Sequence, residues 1–572
     1  MKLIRRLLIA FFFLLIIGAT CVWWNLPRKS DMADYAPADS FVYLEADSLN
    51  GLASSLEQNE AWKKLGPIAG IQTNQPGYWL SAALRAGIGP TESVLLSRAQ
   101  LALVVVGMNT VEEGDTLRIK PDAALIIETH TSRGRIRSTA VEAVKRIAKF
   151  AYGQPTCSQH AEAAEYTECV APDGERRVVA ALEGSLVVIG NTERAVQSCL
   201  EVRRGQRPSL RTDTEMLKMR SNLRTPRALA FGYISSANAA RLFSWAAPLL
   251  IGKAPGDRQL EQMLAASAAK ILRGIAWSSE ASAGGIEDRF LFSLEPSVVS
   301  RLQPAFDTRR GDDAFWKLVP ETSQSLTIYR SEDAKAAWIA IDSAVSSKLD
   351  ALTSVLFASL LKSGLAVYGI ADPQNILPTL APPLVTVRPE QAAEGSILIA
   401  RVRDPQKLRQ ALGGQMFAGG RGQILEGVQS EPNPGKEFAA VFMENYVLLG
   451  KTENVRRCML AIRNNETVSA ETKLRHFTHF APNSLAPILT FTNDEPRLTS
   501  VISVLSSLKG TQLSGEKTTA LKTAVSETGF SATETTLTPT GIERKTRSAL
   551  GQFSTLISLL SPNRSTDSAR AP

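Results

Sequence analysis

Chemistry at neutral pH needs nucleophiles, bases, metal ligands or phosphate cradles, and this chain offers little of each. Its histidines are His130, His160, His476 and His479. The spacing His476-Phe477-Thr478-His479 places two imidazoles on one helical face, but the glutamate and third ligand of a zinc protease are missing. Ser359-Leu360-Leu361-Lys362 and Ser506-Ser507-Leu508-Lys509 fit Ser-x-x-Lys, in which a serine serves as acyl-transfer nucleophile. A serine-rich chain gives such matches by coincidence. Lys362-Ser363-Gly364 overlaps the first one, so it is not the separate strand element that such enzymes carry. Gly413-Gly414 and Gly419-Gly420-Arg421-Gly422 have the composition of a phosphate loop, yet no Gly-Lys-Ser/Thr ends them. The sequence therefore assigns no catalytic, cofactor-binding or metal-binding residue.

Two other sets of residues carry physical consequences. Cys157 and Cys169 lie in a polar segment and close a short loop. In an oxidising compartment they form the natural disulfide, which in the entropic model contributes about 3 kcal/mol. His160 lies between them, but no further ligand cluster makes a metal site. The second set is Arg203, Arg204, Arg207 and Arg211, followed by Lys218, Arg220, Arg224 and Arg227, with Glu201, Asp213 and Glu215 against them. This run reads as a solvated face or as a contact for anionic lipid head groups, worth about 1 kcal/mol per basic residue near a membrane. Another anionic envelope polymer fits equally. Nucleic acid is disfavoured, because no base-stacking aromatics interleave with these arginines and the expected compartment is outside the cytoplasm.

The compartment follows from the N-terminus. Leu7–Trp24 is an apolar stretch of 18 residues, about 27 Å as a helix and just long enough to span a hydrocarbon core. Lys2, Arg5 and Arg6 precede it, so the N-terminus stays inside and the bulk of the chain is exported. Trp23 and Trp24 suit the membrane interface, which favours an uncleaved anchor. A cleaved signal ending near Gly18-Ala19-Thr20 and a lipoprotein on Cys21 are the alternatives. With 572 residues, 44% hydrophobic and a net charge of +8, the rest is long enough for two to four packed domains.

That remainder reads as two halves. Gly190-Asn191-Thr192-Glu193 follows Leu186-Val187-Val188-Ile189, and Gly450-Lys451-Thr452-Glu453 follows Tyr446-Val447-Leu448-Leu449. Pro37-Ala38-Asp39-Ser40 before Phe41–Leu44 matches Pro320-Glu321-Thr322-Ser323 before Leu326–Tyr329. Gly87-Ile88 before Leu101–Val106 matches Gly369-Ile370 before Leu384–Val387. Ala124–Glu128 matches Ser396–Ala400, Leu229-Ala230-Phe231 matches Leu489-Thr490-Phe491, and Gly285-Ile286-Glu287 matches Gly541-Ile542-Glu543. The offsets shrink in order, from 283 through 260 to 256, as a duplication with deletions would give. Part of the shrinkage falls at Cys157–Cys169, which reads as an insertion in the first half. Cys199 then falls opposite Met459 on a core-facing stripe, and Cys458 beside that stripe, partly exposed.

Each half predicts the same order of elements. A strand leads to a helix such as Leu49–Leu65, then to a buried strand, Leu101–Val106. A helix at Ser138–Tyr152 follows, then a hairpin turning at Glu183-Gly184 or Glu444-Asn445. Helices capped by Thr192 and Thr452 come next, and a final hairpin, Ile275–Ser282 with Ile286–Leu294, closes the first half. Hairpins outnumber crossovers, so the expected class is α+β with antiparallel sheets after one transmembrane helix. The expected boundaries are an anchor at 1–30, halves at 31–300 and 320–550, a linker at 301–319 and a partly disordered tail at 551–572.

Pro37-Ala38-Asp39-Ser40 before a strand and Gly369-Ile370-Ala371-Asp372-Pro373 resemble motifs of a bacterial family of envelope-anchored proteins classed only as a domain of unknown function. The first half departs at the second motif, with Gly89-Pro90 in place of Asp-Pro. The resemblance covers about residues 1–550. It implies an exported α+β body on a membrane anchor and carries no functional residue with it. The functional expectation is a non-catalytic periplasmic protein, anchored in the inner membrane, that scaffolds or binds an envelope protein. Lipid or small-ligand binding in a groove between the halves, or an enzyme with an unrecognised site, are the alternatives.

Overall fold

The computed structural model describes residues 29–70, 99–113, 116–161, 164–225, 227–250, 258–282, 284–308, 313–389, 395–416, 420–469, 472, 477, 480–481, 484–508 and 515–555. Leu7–Trp24, Gly87-Ile88, Gly419, His476, His479, Lys509 and the tail from 556 lie outside these residues. Among the described residues no helix is long and apolar enough to cross a membrane.

The first half contributes β1 (Val42–Ala46), β2 (Gln100–Glu113), β3 (Thr116–Glu128), β4 (Thr156–Ala161), β5 (Glu165–Val170), β6 (Arg177–Glu183), β7 (Leu186–Gly190), β8 (Ala228–Ser235), β9 (Leu272–Ser282) and β10 (Gly285–Leu294). Their order across the sheet is β4-β5-β6-β7-β3-β2-β1-β8-β9-β10. The second half contributes β11 (Ser325–Tyr329), β12 (Leu380–Arg388), β13 (Ile397–Val402), β14 (Gly422–Glu426), β15 (Phe438–Met443), β16 (Tyr446–Lys451), β17 (Ile488–Asn493), β18 (Phe530–Thr538) and β19 (Gly541–Ser548). Their order is β14-β15-β16-β13-β12-β11-β17-β18-β19. β10 pairs with β19 and joins the two series into one sheet of nineteen strands. Every neighbouring pair is antiparallel except β14–β15. The class is α+β with a large mixed sheet.

Alternation decides which face each strand buries. In β1, Tyr43 is 1% exposed beneath the first-half helices, and its neighbours Val42 and Leu44 point to the opposite face. The first-half core gathers Tyr43, Val104, Ile126, Val188, Leu200 and Tyr233. The second-half core gathers Leu326, Val387, Ile399, Leu448, Phe477 and Phe491. A third cluster crosses between halves, with Trp62 and Leu65 packed against Leu498, Val501 and Leu521. Burying one such leucine or valine side chain contributes roughly 1.5–3 kcal/mol.

Several local expectations change. Leu49–Leu65 is two helices, Leu49–Gln58 and Glu60–Leu65. Asn59 separates them: its side-chain oxygen accepts from Ala61 N at 2.8 Å, which starts a new helix. Thr192 caps its helix by accepting from Ala195 N at 3.2 Å. Thr452 does not: it is the first helical residue, after the cap position Lys451. The segment around Cys157–Cys169 is a pair of strands, and the two cysteines face each other across β4 and β5. Arg301–Phe306 completes the helix Pro296–Phe306, so the connection between halves is shorter than the sequence predicts.

Candidate functional site

The place where the halves meet is built from β10 and β19. Their register sets Ile286 opposite Ser548, Arg289 opposite Lys545 and Ser293 opposite Gly541. The two like charges at the centre are each drawn off by a carboxylate on the other strand. Arg289 Nε donates to Glu543 Oε1 at 2.8 Å, and Lys545 Nζ lies 3.2 Å from Glu287 Oε1. Arg547 Nε adds a second donor to Glu287, at 2.8 Å. At the two ends the backbones approach so closely that only glycine fits. A Cβ on Gly285 would run into the Ser548 carbonyl oxygen, and one on Gly541 into that of Phe292.

Beside the seam an apolar groove of about 180 Å³ opens on the outward face of β1, β8, β9 and β10. Val42, Leu44, Ile234, Trp277 and Phe290 line it from the first half, and Gln552 and Thr555 close one end from the second. The absence of a side chain on Gly232 keeps its floor open, because a Cβ there would lie 2.6 Å from Leu44 Cδ2. Trp277 is the fixed wall. Its indole N–H donates to Asp288 Oδ1 at 2.9 Å, and Phe553 meets its ring edge-on at 6.1 Å. Asp288 Oδ2 accepts from the Gln552 backbone N–H at 2.9 Å, which ties the groove's end to its floor. Burial pushes the Asp288 carboxyl above its usual range, against the pull of its hydrogen bonds from Trp277 and Gln552.

The predicted arginine surface is arranged differently from a free basic patch. Arg204 lies 2.7 Å from Glu183, Arg207 2.5 Å from Asp39 and Arg211 2.9 Å from Asp34. Arg203 stacks its guanidinium over Tyr35, 5.3 Å from the ring centre. Deeper, Arg220 bridges Asp31 and Glu45, and Arg224 bridges Glu45 and Asp47. Glu45 is 4% exposed; burial pushes its carboxyl up while Arg220, then Arg224, pull it down. The carboxylates that meet these arginines come mostly from residues 31–47. Their signal was present as Asp31, Asp34, Asp39, Glu45 and Asp47, but nothing local pairs them with residues 170 positions on.

Cys157 and Cys169 are bonded. Cys199 and Cys458 are both buried thiols, and burial pushes each up to about 12, so neither is a nucleophile at neutral pH. Cys458 is thus not partly exposed: its Sγ donates to Leu318 O, under the second-half core. Among the described residues no group of three His, Cys, Asp or Glu side chains is placed to hold a metal. His130 and His160 are far apart in the sheet, at the end of β3 and in β4. Comparison with family models, with curated proteins and with solved structures gives no match.

Proposed function

We propose that this chain is a membrane-anchored, extracytoplasmic protein without catalytic activity, built by duplication of one α+β unit and acting as a scaffold that binds an envelope partner. The observation that carries the reading is the correspondence of the two strand orders about the β10–β19 seam. Reading outward from it, β9, β8, β1, β2, β3, β7 and β6 answer to β18, β17, β11, β12, β13, β16 and β15. The local devices repeat too. Ser40 Oγ donates to Pro37 O at 2.6 Å and Ser323 Oγ to Pro320 O at 2.5 Å. Pro37 forms an isolated bridge with Ser209, and Pro320 with Thr467. The ladders refine one sequence match: Tyr233, rather than Phe231, occupies the place of Phe491, since Tyr233 lies opposite Tyr43 and Phe491 opposite Leu326. A slip of two residues leaves the buried face unchanged, so the hydrophobic pattern could not reveal it.

The groove favours a second reading, in which the occupant is a lipid chain or small apolar ligand. Its apolar walls come from the first half, with Gln552 and Thr555 closing one end, and a concave apolar surface is where ligand sites are commonly found. A photo-crosslinking residue in place of Val42, in intact cells, separates the two. A discrete protein adduct supports the scaffold. A lipid adduct replaces it with the ligand-binding reading, and no adduct removes the groove from either. The anchor, the periplasmic location and the kinship with the envelope-anchored family belong to this proposal. Carbonate extraction and protease protection in spheroplasts test them, and release of an intact soluble chain would overturn the anchor.

A further inference from the structure

The seam has a property that a mere junction between halves would lack. With Gly285-Ile286-Glu287 matched to Gly541-Ile542-Glu543, Arg289 corresponds to Lys545, and these two residues face each other. Ile286 pairs with Ser548, the counterpart of Phe292, and Phe292 pairs with Ile542, the counterpart of Ile286. Each residue therefore meets the counterpart of the residue that its own counterpart meets. This is the pattern of an isologous two-fold contact. The ion pairs obey it, because Arg289–Glu543 and Lys545–Glu287 are one contact made twice. So do the close approaches of Gly285 to Ser548 O and of Gly541 to Phe292 O. The helices exchange in the same sense: Arg258–Ala269 of the first half packs on Ala351–Ala366 of the second, and Gly515–Thr528 of the second packs on Glu60–Leu65 of the first.

We propose that the β10–β19 seam is a two-fold docking interface whose complement is a copy of the same edge, so that it forms between two chains as well as within one. The inference rests on the duplication reading above. β10 against β10 would keep both Arg289–Glu287 contacts. It would lose the Arg547–Glu287 contact, because the counterpart of Arg547 is Leu291. Arg547 thus biases first halves toward second halves, and two chains that exchange halves make two complete seams.

The test uses the full chain with a specific protease site inserted between Thr308 and Asp313, cleaved after folding. The expected result is that the cleaved halves co-elute as one complex. Arg289→Glu and Glu543→Arg are then made in separate chains, each weakening the association of its own halves roughly tenfold. When the two cleaved variants are mixed, unfolded and refolded together, the first half carrying R289E should capture the second half carrying E543R roughly tenfold over its own partner. Separation of the wild-type halves on cleavage overturns the proposal, as does refolding that yields no preference for the complementary pair. Near-UV circular dichroism of the uncleaved variants, with Lys545→Arg as the conservative control, shows that each variant has folded. Scaffold function is read separately by the Val42 crosslink, so a lipid adduct there with an intact exchange result would fault the functional reading alone. Halves that do not superpose would remove the duplication and the two-fold reading with it, whereas a failed exchange between superposing halves overturns the seam alone.

Discussion

Glu45 and Ile328 occupy the same place in two ladders and solve it by opposite chemistry. Glu45 lies in β1 opposite Ala102 and Phe231; Ile328 lies in β11 opposite Val385 and Leu489. Both are buried, at 4% and 1% exposure. Around Glu45 the first half sets Arg220, Arg224, Asp31 and Asp47. In the second half the neighbouring core is a stack of aromatic rings, with Trp316, Phe477, Phe491 and Phe530 in contact. In the first half Met219, Tyr233 and Gly274 pack together instead, and a Cβ on Gly274 would lie 3.2 Å from Met219 Sδ. The comparison teaches that the backbone frame does not need either filling. A charge cluster fixes which segments meet, here residues 31–47 with the helix Thr214–Leu223, while its net stabilisation is small after desolvation. Aromatic packing stabilises more and specifies partners less.

The sharpest way to break this contrast is to move the charge across. Ile328→Glu puts a carboxylate into the aromatic core, and should cost about 5 kcal/mol. Urea unfolding of the full chain followed by tryptophan fluorescence measures it; a loss under about 1 kcal/mol would mean that the second-half site is wetter than its geometry implies.

Removing a ring comes next. Phe477→Ala should cost about 4 kcal/mol and Met219→Ala in the first-half core about 2–3 kcal/mol, because the larger cavity loses more contacts. Equal costs in thermal and urea unfolding would erase the distinction between an aromatic core and its first-half counterpart.

Glu45→Ala takes from Arg220 and Arg224 the buried carboxylate they share, at a cost of about 3 kcal/mol. The triple change Glu45→Ile, Arg220→Met, Arg224→Leu should return to within about 1 kcal/mol of the native chain. If the triple variant is as unstable as the single one, the ion pairs contribute net stability rather than specificity.

The smallest effect concerns pH. Burial raises Asp288 above its unfolded value, so the folded state holds the proton more tightly. That contribution is fully present below the ordinary aspartate value of about 3.9 and is lost as pH rises through the folded value. Native stability should therefore fall relative to Asp288→Asn between about pH 4 and about pH 7. Urea titrations of both proteins at the two ends of that range decide the sign, and a widening gap in favour of the native chain would refute the assignment.

Much of the frame was legible from one-dimensional pattern. The hairpin at Glu183-Gly184, the apolar run Leu186–Ile189 and the closing hairpin Ile275–Leu294 are fixed by alternation and turn chemistry acting within a few residues, and the structure has them within one to three residues of the expected bounds. The Cys157–Cys169 bond was legible for the same reason, since both partners belong to one local pair of strands. The helix break at Asn59 is hidden because a single side-chain bond decides it, and the start after Lys451 because no side-chain cap marks it; a helical pattern carries through both.

What the groove and the seam need is of another kind. The sequence alone determined the strands and hairpins that local pattern specifies, and that the first half carries clustered arginines. Only the tertiary structure decided that those arginines meet carboxylates from residues 31–47, that Cys458 lies under Leu318, and that β10 takes β19 as its neighbour in a register centred on Arg289 and Lys545. Periodicity tells a strand which face to bury but leaves its two hydrogen-bonding edges equivalent. Which edge meets which is set by complementary charge, close backbone approach and helix packing contributed from more than two hundred residues away, as Arg289 and Glu543 show.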